Sequence, residues 1–351
     1  RDAMKLPLRI ATWSGAALLL LALSVVWSLS VGSAGMPVAR VWSILMHQLP
    51  FIGSAEPDWT PMEEAIIMQV RLSRVVLAML VGACLGMAGA GFQGVLRNPL
   101  ADPFTLGVAS GSSVGAALVM TFGLQTAIGM WTVPAAAFLS GLLTVLAVFL
   151  LARSNGQMAV ETLILSGIIM QAFLGAFVSL MISMSEDEVN QILYWVLGSL
   201  SKRTWDHALL ILPLAIAGLP VIAAFASAMN LMALGERHAA HLGVHVERTK
   251  LIVLLASTLV TAAAVSVSGV IGFVGLVVPH LIRLIVGPDY RLIVPLSVIG
   301  GGIYVVWADT LARTALSPKE IPLGVLTALV GAPFFAWLLK RRKAGLGRED
   351  A

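Results

Sequence analysis

Charged side chains are scarce in this sequence: Asp, Glu, Lys and Arg make up 11% of its 351 residues, against roughly 25% in an average soluble domain. Together with 58% hydrophobic residues, that deficit excludes a soluble globular protein and leaves an integral membrane protein. Cysteine is nearly absent. The single Cys84 cannot form an intrachain disulfide or a cysteine-based metal cluster, and its GACLG setting suits a small packing residue. No G-x-x-x-x-G-K-[ST] stretch occurs and no Lys follows a Gly, so the chain has no phosphate-cradling loop of that kind. Acids are rare within apolar runs. Asp309 is the one placed within or close to a span, which leaves an ion-coupled carrier little to titrate. The formal net charge of +4 gathers at the ends of apolar runs, where it reports topology and not nucleic-acid binding.

What is abundant is apolar sequence. At about 20 residues per spanning helix the length holds roughly ten spans with short connections, and residues 1–351 read as a single transmembrane domain. The first run, 10–31, is too long for the apolar segment of a signal peptide and lacks a cleavage site, so it reads as a span over 9–32. An external loop over 33–70 follows. Within it PVARVWSILMHQL is amphipathic and too short to span, and Trp42 and Trp59 suit an interfacial helix. Further spans are expected over 75–95, 104–122, 131–151, 162–184, 207–228, 251–267, 276–286, 292–311 and 323–339. Gly82, Gly86 and Ala90, then Gly107, Gly111 and Gly115, recur at four-residue spacing, which lets a neighbouring backbone approach one helix face closely. The prolines of RNPLADP (97–103) forbid a continuous helix, and the three glycines of SGVIGFVG (268–275) break the run that precedes them. The acidic cluster Glu186, Asp187 and Glu188 precedes a second interfacial segment, YWVLGSLSKRTW.

Ten spans put both termini on one side. Sorted by that topology, fifteen Lys and Arg fall on the terminal side and seven on the other, a bias that makes the terminal side cytoplasmic. The same side receives a polar island over 230–250, NLMALGERHAAHLGVHVERTK, which is more than two spans need as a connection. His238, His241 and His245 stand at helical spacing, and a metal site is one reading of them. Gly243 interrupts that helix and no carboxylate is arranged to orient the rings, so they read as surface histidines and no metal site is expected.

Five separated stretches then carry a resemblance. MQVRLSRVVLAMLVGACLGMAGAGFQGVLRNPLADPFTLGVASG (68–111), LGERHAAHLGV (234–244), GFVGLVVPHLIRLIVGPDYR (272–291), ADTLART (308–314) and IPLGVLTALVGAPFFAWLL (321–339) resemble, in order, the permease subunits of type II ABC importers, a family that takes up ferric siderophores, haem and cobalamin. The first seventy residues carry least of it. The resemblance implies an all-α integral membrane fold in the cytoplasmic membrane with both termini inside. It also implies two ATPase subunits that bind ATP and Mg, a second permease as homodimer or paralogous heterodimer, and an extracytoplasmic binding protein.

The resemblance places the ATPase-coupling helices on the island, at Leu234, Gly235, Glu236, Arg237, Ala239, Ala240, Leu242, Gly243 and Val244. Its glycines can supply turns, its alanines close approach and its charges a polar rim; a solvated linker is the plainer alternative. Arg71, Arg74 and Arg313 match positions that bind glutamates of the binding protein, although arginines at span ends also snorkel without further role. Asn98, Leu100, Glu161 and Thr162 fall near the inner mouth of the pathway, where Asn98 and Thr162 could equally cap helices. No catalytic residue and no cofactor bound by this chain are expected. The substrate first in line is a ferric siderophore, with cobalamin or haem as alternatives. An ion-coupled carrier is the competing class, and a membrane enzyme built on the scattered histidines is a third.

Overall fold

The computed structural model describes residues 2–32, 36–48, 58–154, 157–185 and 187–346. Glu186 of the acidic cluster and parts of the 33–70 loop lie outside the described residues. Helix dominates. The chain rises through α1 (Asp2–Ser30), crosses α2 (Val38–His47), and enters α3 (Pro61–Ala65), a π-helical stretch Ile66–Leu72 and α4 (Ser73–Leu96) without a break. A 3-10 turn, Pro103–Leu106, leads to α5 (Val108–Thr121), α6 (Leu124–Ala127) and α7 (Thr132–Ala152). A two-residue antiparallel ladder, β1 (Arg153–Ser154) with β2 (Gln157–Met158), precedes α8 (Val160–Met184) and α9 (Val189–Val196). Then come α10 (Trp205–Ala224), α11 (Ala226–Ala233), α12 (Glu236–His241), α13 (Val246–Ser268), α14 (Val274–Val286), α15 (Tyr290–Thr314) and α16 (Leu323–Leu346).

Among the described residues seven helices are long and apolar enough to cross a membrane, and α5, α14 and the Leu323–Trp337 part of α16 are shorter apolar helices. These ten elements fall on the ten expected runs. Several ends differ. The second span starts at Pro61 and not near residue 75, because Thr60 and Glu63 close a reciprocal capping box with Pro61 at the first helical position. The third is short because the segment after Arg97 dips into the bundle before α5 begins: Ala101 and Leu106 are buried, and a methyl on Gly275 would press on Pro103. The sixth ends at Ala224, and Phe225 separates it from α11.

The core forms around α4, which is apolar on every side and packs against α15, α13, α14 and α10. Its small residues permit that crowding. A methyl group on Gly82 would strike the Gly301 carbonyl of α15, one on Gly86 the Ser297 carbonyl, and one on Gly89 the Gly275 carbonyl of α14. In α5, Gly111 and Gly115 meet Thr144, Ser140 and Ala136 of α7 in the same way. Between α13 and α14 the chain is non-helical over 269–273, with Gly269 at φ +69° and Phe273 at +68°. Two carbonyls at the start of α14 are met from the core, where Gln93 Nε2 donates to Gly275 O (3.2 Å) and Leu276 O (3.1 Å). By contrast α1 and α8 keep most of their apolar surface outward, as helices facing lipid or a partner do.

Candidate functional site

The island folds as a short helix with built stops at both ends. Gly235 enters α12 at φ +121°, ψ 141°, a conformation that side-chain-bearing residues hold only under strain. At its other end Val244 N donates to Ala239 O and Gly243 N to Ala240 O, each at 3.0 Å, with Gly243 at φ +89°. That is the double hydrogen bond of a helix end closed by a left-handed glycine. Ala239 is fully buried, while Leu234 and Leu242 stand 71% and 62% exposed. Arg237, His238, Ala240, His241 and His245 are exposed as well. Nothing in the described residues covers this outward face. Nor do those residues contain a group of three His, Cys, Asp or Glu able to hold a metal ion.

Glu236 anchors the helix inward. One of its oxygens accepts from Arg97 Nη2 at 3.0 Å and the other from Lys250 Nζ at 2.8 Å. Lys250 is buried and also donates to Glu247 Oε1 (3.1 Å) and the Met158 carbonyl (3.4 Å), and Glu247 Oε2 accepts from Met158 N (3.0 Å). One chain of charge-assisted bonds thus ties the end of α4, the island, the start of α13 and the loop before α8 together. These residues line a polar cavity of about 480 Å³ whose wall includes Glu161 and Thr162. Asn98 and Leu100 are not among its lining residues. Asn98 Oδ1 instead accepts from Leu100 N at 2.9 Å, a local turn, and Leu100 is 44% exposed. The residue before α8 is Ala159 with no side-chain cap, so Thr162 does not cap that helix.

A second polar contact holds the start of the island. Asn230 Nδ2 donates to Asp289 Oδ1 (2.7 Å) and its Oδ1 accepts from Tyr290 N (2.9 Å). Hydrogen bonds from the Arg291 side chain, helped by Asn230, hold the Asp289 carboxyl well down, at about 2. Arg9 Nη2 donates to the Val286 carbonyl at 2.8 Å, so α1 begins at this end of the bundle.

The three arginines singled out by the family pattern lie together at the opposite end, and they do not snorkel. Arg71 and Arg313 are buried. Arg71 Nη1 donates to Leu29 O at 3.2 Å, and its guanidinium lies where a side chain on Gly32 would be. Arg313 donates to Ser28 Oγ at 2.9 Å and to the Ser28 carbonyl, and its Nε lies 3.6 Å from Asp309. Arg74 is gripped on two edges: Asp309, itself buried, receives Nε at 3.0 and 3.1 Å, and Glu320 receives Nη1 and Nη2 at 3.0 Å each. Lys250, Glu247 and Glu320 are participants that sequence reasoning missed. The spacing of Glu247 and Lys250, three apart at a helix start, was a usable signal for that pair; Glu320, in an exposed connection, carried none.

Comparison with known proteins agrees with this architecture. The FecCD transport family model matches residues 20–341. An uncharacterized ABC transporter permease of Bacillus subtilis is 46% identical over 93% of this chain and 92% of its own. A hemin transport system permease of Yersinia pestis is 43% identical over 79% and 84%. A solved structure described as a metal-chelate type ABC transporter in an inward-facing conformation superposes with a TM-score of 0.79 at 32% identity, covering 93% of this chain and 98% of that one. With its lipid-length helices, its central small-residue helix and its match along nearly the whole length, the chain belongs to the FecCD transport family: it is a membrane-embedded permease subunit of an ABC importer, partnered by another permease and by separate subunits that hydrolyse ATP.

Proposed function

We propose that this permease carries a ferric siderophore into the cytoplasm, receiving it from an extracytoplasmic binding protein and coupling its passage to ATP and Mg bound by two ATPase subunits. The island end faces the cytoplasm, and α12 is the coupling helix. The observation that carries this is the two-sided character of α12. Its inner face is fixed through Ala239 and Glu236, while Leu234, Arg237, Ala240 and Leu242 form an apolar, basic-rimmed outer face. A surface of that kind suits a protein groove, and the ion pairs behind it pass a push on the helix to the ends of α4, α8 and α13.

Glu161 and Thr162, on the wall of the cavity behind Glu236, and Asn98 and Leu100 at the adjoining turn make up the inner gate region. At the outer end Arg71, Arg74 and Arg313 dock the binding protein. An iron chelate is favoured as cargo because the hemin relative and the metal-chelate neighbour both bear the names of chelate carriers. Haem itself is the second reading, on the strength of that relative, and cobalamin the third. Ion-coupled transport does not fit the family.

Two measurements test this. Leu242→Asp, which charges the outer face without touching the Glu236 contacts, should abolish co-purification with the ATPase subunits while leaving the permease folded. Retained ATPase binding would refute the coupling role of α12. Thermal-shift titration of the binding protein encoded with this permease, using ferric hydroxamates, ferric catecholates, haem and cobalamin, identifies the cargo; a response to haem or cobalamin alone would replace the siderophore reading.

A further inference from the structure

Arg74 raises a question that the docking role leaves open, since the guanidinium meant to receive a partner's carboxylate already holds two. The two are not equivalent. Asp309 is 1% exposed and shared with Arg313, so withdrawing it would strand buried charge on both sides. Glu320 sits in the exposed connection between α15 and α16, its side chain 38% accessible, and among the described residues its hydrogen bonds are the two from Arg74. It grips the two terminal nitrogens, on the edge adjoining the one Asp309 holds, with Nη2 shared at 2.9 Å from Asp309, in the paired geometry that any incoming carboxylate would adopt.

We infer that Glu320 is an internal stand-in for the partner's carboxylate: it occupies the outward edge of Arg74 until an acidic side chain of the docking binding protein displaces it. This rests on the docking role of Arg74 proposed above. The charge balance favours exchange over simple addition. Arg71, Arg74 and Arg313 set three positive charges against Asp309 and Glu320, and release of Glu320 raises the excess to two at the moment a carboxylate arrives. Freed Glu320 passes directly into water, so its departure leaves no buried anion. The partner's recognition element is therefore a Glu or Asp projecting far enough to reach Arg74, and Glu320 sets the affinity that it has to exceed.

The test uses the full permease with its ATPase subunits in lipid nanodiscs, with phenylglyoxal labelling of Arg74 read by mass spectrometry. Glu320→Gln should raise labelling of Arg74 severalfold and tighten binding of the binding protein by about two- to fivefold, the range for loss of a competing exposed ion pair. Lys319→Gln, which removes a neighbouring charge, should change neither. Unchanged labelling in Glu320→Gln would show that Glu320 does not cover Arg74 and would overturn the inference. Raised labelling with unchanged or weaker affinity would overturn it too, because Glu320 would then not compete. If labelling rises but saturating binding protein gives no protection of Arg74, or the ferric siderophore protects it without binding protein, the docking role itself fails.

Discussion

Glu236 is the residue through which the island is joined to the bundle, and its replacement by Gln is the most informative perturbation. Gln keeps the shape and can still accept a hydrogen bond, so the change isolates charge. The Lys250 contact is 2.8 Å with the lysine side chain 5% exposed, and at an effective dielectric of 20 the bare attraction is about 6 kcal/mol. Most of that is offset. Glu247 remains on Lys250 at 3.1 Å, the neutral amide is easier to desolvate, and a charge-assisted bond contributes a net of about 1.5–3 kcal/mol. The Arg97 pair is more exposed on both sides, 39% and 29%, and adds at most about 0.5 kcal/mol. Glu236→Gln should therefore cost about 1–2 kcal/mol in equilibrium unfolding of the solubilised permease. A double-mutant cycle with Lys250→Met should return a coupling of about 1–2 kcal/mol, and the cycle with Arg97→Met about 0.5 kcal/mol or less. In proteoliposomes, ATP-driven uptake should fall while the ATPase subunits stay bound. A Glu236–Lys250 coupling indistinguishable from zero, or uptake at the wild-type rate, would refute the view that this bond joins island to bundle.

Other expectations follow from particular residues. Gly82→Val places a branched side chain against the Gly301 carbonyl and should cost about 3 kcal/mol or prevent folding, whereas Gly15→Val, with open space around it, should shift the thermal midpoint within error; equal effects would discount the close α4–α15 approach. At Gly235 (φ +121°), alanine should cost about 1–3 kcal/mol in unfolding free energy, while Gly243→Asn should be milder because asparagine tolerates the left-handed region. Asp289, held at about 2 by Arg291 and Asn230, has a native value below its unfolded one of about 3.9. Its contribution is complete above pH 4 and is lost as pH falls toward 2. Screened by solvent at its half-exposed partner Arg291, it amounts to about 1 kcal/mol. Asp289→Asn should flatten that acid limb in a pH series of thermal midpoints.

The sequence by itself determined the elements. Ten apolar runs, the glycine spacing of 82 and 86 and the break after Ser268 follow from local rules, because in lipid each backbone group must be satisfied within its own helix; the island helix came from the family resemblance. What it misjudged were the places where the chain outside the helices is itself buried. The dip of residues 98–107 depends on neighbours that no local window contains, whereas the early start of the second span at Pro61 rests on the Thr60–Glu63 capping box, a local signal that the hydrophobic pattern alone passes over. Apart from short-range pairs such as Glu247–Lys250, three residues apart, the ion pairing of the helix ends was decided by tertiary structure. Read in isolation, Arg71, Arg74 and Arg313 look like interfacial anchors. Packing buries Arg71 and Arg313 against the end of α1, sets Arg74 beside Asp309, brings Glu320 onto Arg74 from 246 positions away, and joins Arg97 to Glu236 across 139. Hydrophobic periodicity is a property of adjacent residues and can be read along the chain. Ion pairing depends on which helix ends meet, and only the assembled bundle fixes that.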